Sequence, residues 1–190
     1  MRKQNNMTRR FFFLSIALFC SSFLRAQDTT AAAPAFPAAW QGVWLGELNI
    51  YNAKGLAQSV PMELHILPVS GTDTYTWTIF YGLDRKAGRR SYLLKTVDAG
   101  SGFYAIDEQN SIVMEAYLLG GKLFSRFEVE GSLLLATNEV RGDRMTYEII
   151  SGSFQPVSTS GNAVREGEQI PAVSAFPVIV RQVAVLTRSR

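Results

Sequence analysis

From Gly42 onward the chain consists of short runs in which every second residue is apolar, each run closed by Gly, Asp or Asn. An alternation of period two gives a strand one dry face and one wet face, and it conflicts with the 3.6-residue period of an amphipathic helix. Thr74–Gly82 is the clearest case. Tyr75, Trp77, Ile79 and Tyr81 share one face and Thr74, Thr76 and Thr78 the other, and the β-branched and aromatic content favours a strand further.

The other runs keep the same rhythm. In Gly42–Ile50, Trp44, Gly46, Leu48 and Ile50 align, and in Ser59–Val69, Val60, Met62, Leu64 and Ile66 do. Arg90–Val97, Gly102–Asp107, Ser111–Leu119, Lys122–Glu130, Ser132–Val140 and Arg144–Ser151 follow, joined by short connections such as Gly120-Gly121 and Arg141-Gly142-Asp143. Turns of that length set each strand beside its predecessor. Residues 153–172, with Pro156, Gly161, Gly167 and Pro171, read as one long loop, and Phe176–Thr187 as a last strand. The result is about ten strands and no helix. A sheet this wide twists, and closing it removes both exposed edges. The expected fold is an all-β, antiparallel up-and-down closed barrel spanning residues 40–188, with a two-sheet sandwich as the alternative.

The first 26 residues carry a different message. Arg2, Lys3, Arg9 and Arg10 precede the apolar run Phe11–Cys20, and the small residue Ala26 follows shortly after. Basic, then apolar, then small is the order of a secretory signal peptide. The unbroken apolar run is about ten residues, where a membrane span needs roughly 20. Cleavage is expected after Ala26, leaving 27–39, with Thr29, Thr30, Pro34 and Pro37, as a flexible tether. A lipoprotein acylated at Cys20 is the less favoured route, because Phe19 is bulky where such sites carry a small residue. Either way the protein is expected to be exported, to the periplasm or beyond.

Removing residues 1–26 changes the charge. Arg2, Lys3, Arg9, Arg10 and Arg25 leave with it, so 19 basic residues fall to 14 against 16 acidic ones, a formal net charge of −2. The precursor's net +3 is therefore no argument for nucleic acid. Cys20, the sole cysteine, also departs, which excludes an internal disulfide and thiol catalysis in the mature chain.

At Trp40-Gln41-Gly42-Val43-Trp44-Leu45-Gly46 the chain resembles the opening of calycin barrels, the lipocalin and fatty-acid-binding-protein-like families, in which a Gly-x-Trp motif starts the first strand. The resemblance implies that Trp44 closes one end of the barrel and packs under an arginine near the last strand, for which Arg181 and Arg188 are the candidates. Tyr51–Gln58 is too short for the helical lid of fatty-acid-binding proteins, and no C-terminal helix like that of lipocalins follows. Bacterial lipocalin-like domains without an assigned role are the closer likeness. The function implied is binding of a small hydrophobic or amphipathic molecule in the lumen.

The residues add candidates to that expectation. Trp44, Tyr75, Trp77, Tyr81, Tyr92 and Tyr104 are read as lining the pocket, since a barrel of more than about eight strands leaves space that side chains do not readily fill. Arg89 and Arg90, in the basic segment Asp84–Arg90, are read as meeting a carboxylate or phosphate at the mouth. His65, the only histidine, lies with Glu63 on the face opposite Met62 and Leu64, so it could hold a haem only if that face lined the lumen. No cofactor is expected.

Glu128 and Glu130 share a face with Arg126 and read as solvated exterior. No Gly-x-Ser-x-Gly elbow is present, one histidine without cysteine makes a poor metal centre, and no carboxylate pair is singled out by spacing. No catalytic residue is assigned. Two other readings remain: a packed barrel that serves as an envelope interaction or structural module, and an enzyme using lumenal carboxylates and tyrosines. An outer-membrane barrel is disfavoured by Glu115, Arg126 and Glu128 within strands.

Overall fold

Ten of the alternating runs become the staves of a closed barrel. The computed structural model describes residues 35–189. The predicted signal peptide 1–26, with Cys20, and residues 27–34 of the predicted tether lie outside them. In chain order the strands are β1 (Gly42–Asn52), β2 (Gly55–Ile66), β3 (Thr74–Tyr81), β4 (Arg89–Asp98), β5 (Phe103–Asp107), β6 (Val113–Leu119), β7 (Lys122–Val129), β8 (Ser132–Arg141) and β9 (Arg144–Ser153). Four short strands follow, β10 (Ser158–Ser160), β11 (Ala163–Arg165), β12 (Glu168–Ile170) and β13 (Val173–Ala175), and then β14 (Val180–Arg188). Strands β1 to β9 pair in sequence order, β9 pairs with β14, and β14 pairs back onto β1. The closed order excludes the two-sheet alternative.

The more apolar face of each run turns inward. Residues directly opposite one another on paired strands share a face, and the register sets Trp44 against Leu64, Leu64 against Ile79, Trp77 against Tyr92 and Leu94 against Ile106. Short turns enforce the meander. Gly120 and Gly121 both have positive φ, 57° and 81°, the backbone that a two-residue hairpin with matching twist requires.

Two boundaries differ from expectation because of proline. Strand β2 ends at Ile66 rather than Val69, ahead of Pro68, whose ring nitrogen has no hydrogen to donate to a ladder. The last strand begins at Val180 rather than Phe176, because Pro177 sits in a segment that crosses β9 instead of pairing with it. That crossing needs a glycine: a Cβ at Gly152 would lie 1.8 Å from the Pro177 carbonyl oxygen.

Residues 153–172 do not form one irregular loop. Strand β10 pairs with β13, and β11 with β12, making a two-tiered hairpin arm whose strands are exposed almost throughout. The glycines and prolines that read as a loop mark only its bends, and each tier is three residues long, too brief to show alternation.

One end of the barrel is solid. Phe36 meets Trp40 and Tyr104 edge-on, with ring centroids 4.7 Å apart in both pairs, and Ala38–Trp40 forms a 3-10 turn that seats Trp40 against the core. Residues 36–39, read from sequence as the end of a tether, are therefore partly buried, with Phe36 and Ala39 packed on the core. A single aromatic among alanines and prolines gave no periodic signal to reveal it. Above this plug Trp44, Leu64, Ile66, Leu94, Leu123, Met145 and Leu186 are fully buried. Each contributes on the order of 1.5–3 kcal/mol through apolar area removed from water.

Candidate functional site

A pocket opens inside the barrel on the side away from Trp40. A cavity of about 170 Å3 lies there. Its wall comes from inward positions on β3 (Trp77, Ile79, Tyr81), β4 (Tyr92), β5 (Ile106), β6 (Met114), β7 (Ser125, Phe127), β8 (Ala136, Asn138) and β9 (Tyr147, Ile149), with Glu108 just beyond β5. Strands β14, β1 and β2 contribute no residue to the wall, and their inward Ala184, Leu48 and Met62 are buried in the core. The size is close to that of a roughly 150 Å3 cavity that holds benzene and below the roughly 300–1,000 Å3 of pockets for drug-sized molecules.

The polar groups inside are few and placed. The hydroxyls of Tyr81 and Tyr147 are 3.1 Å apart and share a hydrogen bond across the lumen. Burial pushes the Tyr147 hydroxyl well above the usual tyrosine range, and the neighbouring Tyr81 adds to it. Tyr81 is also raised, chiefly by burial, and its bond to Tyr147 and the charge of Arg90 offset part of the rise. Burial and then the negative charge of Glu108 raise Tyr92. These phenols therefore stay protonated at neutral pH. Asn138, 5% exposed, carries a side-chain oxygen with no hydrogen-bond partner. Ser125 donates to the Glu115 carbonyl at 2.6 Å.

That serine marks a split in the wall. The ladder between β6 and β7 holds only for Tyr117–Phe124, Leu118–Leu123 and Leu119–Lys122. Beyond it the strands part, and Ser125 spans the fork with its hydroxyl where a backbone amide would otherwise bond. Met114 and Phe127, which a continued ladder would set opposite each other, flank the opening and line the cavity.

The candidates read from sequence divide by depth. Trp77, Tyr81 and Tyr92 line the cavity. Trp44 and Tyr104 are buried in the solid end, and Tyr75 packs against the core without reaching the cavity. Arg188 is the arginine over Trp44, its guanidinium 4.4 Å from the ring centroid, and it donates to the Ala39 carbonyl at 2.8 Å. Trp44 in turn donates its indole hydrogen to the Trp40 carbonyl at 2.9 Å. Arg181 is instead on the outer face, paired with Glu148 at 2.6 Å and over Tyr51.

Arg89 and Arg90 separate as well. Arg89 lies opposite Phe80 on the outer face, where Arg85 stacks over the same ring at 4.1 Å and pairs with Glu63. Arg90 lies opposite Ile79, on the lumenal face at the rim, and donates to the carbonyls of Ala87 and Arg89. The segment Asp84–Arg90 is a hairpin tip stabilised by its own bonds, with Asp84 accepting from the amides of Lys86 and Ala87.

His65 points outward, 2.8 Å from Glu63 and opposite Thr78, so it presents no nitrogen to the lumen for a haem. Among the described residues no three His, Cys, Asp or Glu side chains converge on a point. Asn138 and Tyr147 were missed from sequence. Tyr147 follows a clean alternation with Met145 and Ile149, whereas the triple Leu133-Leu134-Leu135 hides which parity of β8 faces inward.

No protein-family model and no curated protein matches the sequence. Among solved structures the chain is similar to a protein of unknown function from the DUF3598 family of Nostoc punctiforme, with a TM-score of 0.53 and 12% identity. The likeness covers 78% of this chain and 47% of that one, so this chain spans about half the length of its neighbour. What the two share is a fold.

Proposed function

We propose that the protein is an exported, calycin-like carrier that binds a small hydrophobic or amphipathic molecule non-covalently in the barrel lumen. The observation that carries this reading is the cavity of about 170 Å3 beside a half-barrel packed solid. Sequences that only need a stable barrel fill it, since interior voids forfeit packing energy. The wall mixes aromatic and aliphatic surface with a few fixed polar groups, the composition of sites where apolar area supplies affinity and polar atoms set orientation. The volume narrows the range of ligands to one ring or a short chain. Haem would not fit, and a long acyl chain would project from the mouth.

The test is to recover the protein from its own host and extract it for mass spectrometry, alongside titration with single-ring compounds, short fatty acids and haem. A co-purifying small molecule, or saturable binding of a ring compound, is expected. An empty lumen indifferent to all of them would overturn the reading.

A second reading, an envelope interaction module, is favoured by the arm and its return segment, where Val157, Val164, Val173, Phe176, Val178 and Ile179 are all exposed. Excising the arm would abolish a protein contact on this reading and leave lumenal binding intact on the first.

A further inference from the structure

Among the described residues that line the cavity, Asn138 is the one with a buried side-chain atom left without a hydrogen-bond partner. It stands on β8 directly opposite Tyr147 on β9 and Leu123 on β7, lines the cavity, and is 95% buried, yet its oxygen accepts nothing. A buried acceptor without a donor is destabilising, and an apolar residue of the same shape would remove that cost. The nearby hydroxyl pair differs: Tyr81 and Tyr147 satisfy each other with one shared bond. Two hydroxyls hold two hydrogens, so that pair has one left to offer. The lumen therefore presents one unmet acceptor and one spare donor against walls of Trp77, Ile106 and Phe127.

We propose that the site selects an uncharged single-ring molecule bearing an O–H or N–H group, which donates its hydrogen to Asn138 Oδ1. This deepens the lumenal-binding reading and rests on it. The cavity admits one ring, and its lining holds one charged residue, Glu108, and no cation, so an anion would be buried without a counter-charge. A hydroxyl is the best complement, since it donates to the asparagine and accepts from a tyrosine.

Three probes of similar size separate the possibilities: phenol, which donates and accepts, anisole, which only accepts, and toluene, which does neither. Calorimetric titration of the wild-type protein should show phenol binding at least tenfold more tightly than toluene, with anisole near toluene. In Asn138→Leu the preference should vanish or reverse, while the empty protein melts at an equal or higher temperature. Equal binding of phenol and toluene by wild type overturns the donor preference and leaves lumenal binding standing, and so does anisole matching phenol. Failure of all three to bind removes the lumenal reading and this proposal together. The wild-type comparison decides the matter even if Asn138→Leu fails to fold.

Discussion

The guanidinium of Arg188 lies 4.4 Å over the ring of Trp44, joining the last strand of the barrel to the first. The same side chain donates to the Ala39 carbonyl, 2.8 Å away, so one residue fastens β14, β1 and the N-terminal plug together. Arg188→Ala should destabilise the fold by about 2–3 kcal/mol, from a lost cation–π contact and a lost half-buried hydrogen bond. Arg181→Ala, whose partner Glu148 is met at the surface, should cost under about 1 kcal/mol. Urea denaturation of the two variants checks the contrast; equal losses would mean that Arg188 does not close the barrel.

The plug should behave as part of the core and not of the site. Trp40→Ala is expected to cost about 3–5 kcal/mol, as for other buried aromatics. Phe36→Ala should cost less, about 1–3 kcal/mol, because Phe36 is only partly buried and loses two edge-on aromatic contacts. Where the variants stay folded, phenol affinity should be unchanged, since neither residue lines the cavity. Thermal melts with a parallel titration measure both quantities.

The buried tyrosines predict an alkaline limit to stability. Burial raises Tyr147, Tyr81, Tyr92 and Tyr104 above the ordinary value of 10.0. The unfolded chain then loses these protons at lower pH than the folded one, so it binds fewer protons above that value. The stability they contribute is complete below pH 10.0 and is lost as pH rises from there through the folded values. Absorbance at the tyrosinate band should show a fraction of the tyrosines resisting ionisation until the protein unfolds. Titration of all of them together at the ordinary value would contradict the packing.

The arm should be dispensable to the barrel. Its strands pair only with one another and are exposed almost throughout. Replacing Val157–Ala175 with a short Gly-Ser turn should alter stability by no more than about 1 kcal/mol, because shortening a loop changes its closure entropy only slowly. A large loss in guanidinium unfolding would show that the arm supports the wall after all.

The sequence made the barrel legible and the site only partly so. Strand after strand announced itself through parity, as in Thr74–Tyr81, because a face buried against a common interior must repeat every second residue. Parity tells which residues face inward but not how deep they sit along the axis. That is why Trp77 and Tyr104 looked equivalent, although one lines the cavity and the other belongs to the solid end. Depth depends on stagger between strands, which short alternating runs do not record. Phe36 and the paired tiers of the arm escaped for a related reason: a lone aromatic and three-residue strands are too brief to carry a period.

The bond between Arg188 and Ala39 connects residues 149 positions apart. Trp44 and Arg188 are likewise drawn from opposite extremes of the domain and are neighbours in the ladder. During synthesis β1 must therefore wait, one flank bare, until the last strand of the barrel has emerged. Protein released short of β14 would keep that flank unprotected and prone to adhere to other chains, which makes completion of the C-terminal strand the step that renders the newborn molecule safe.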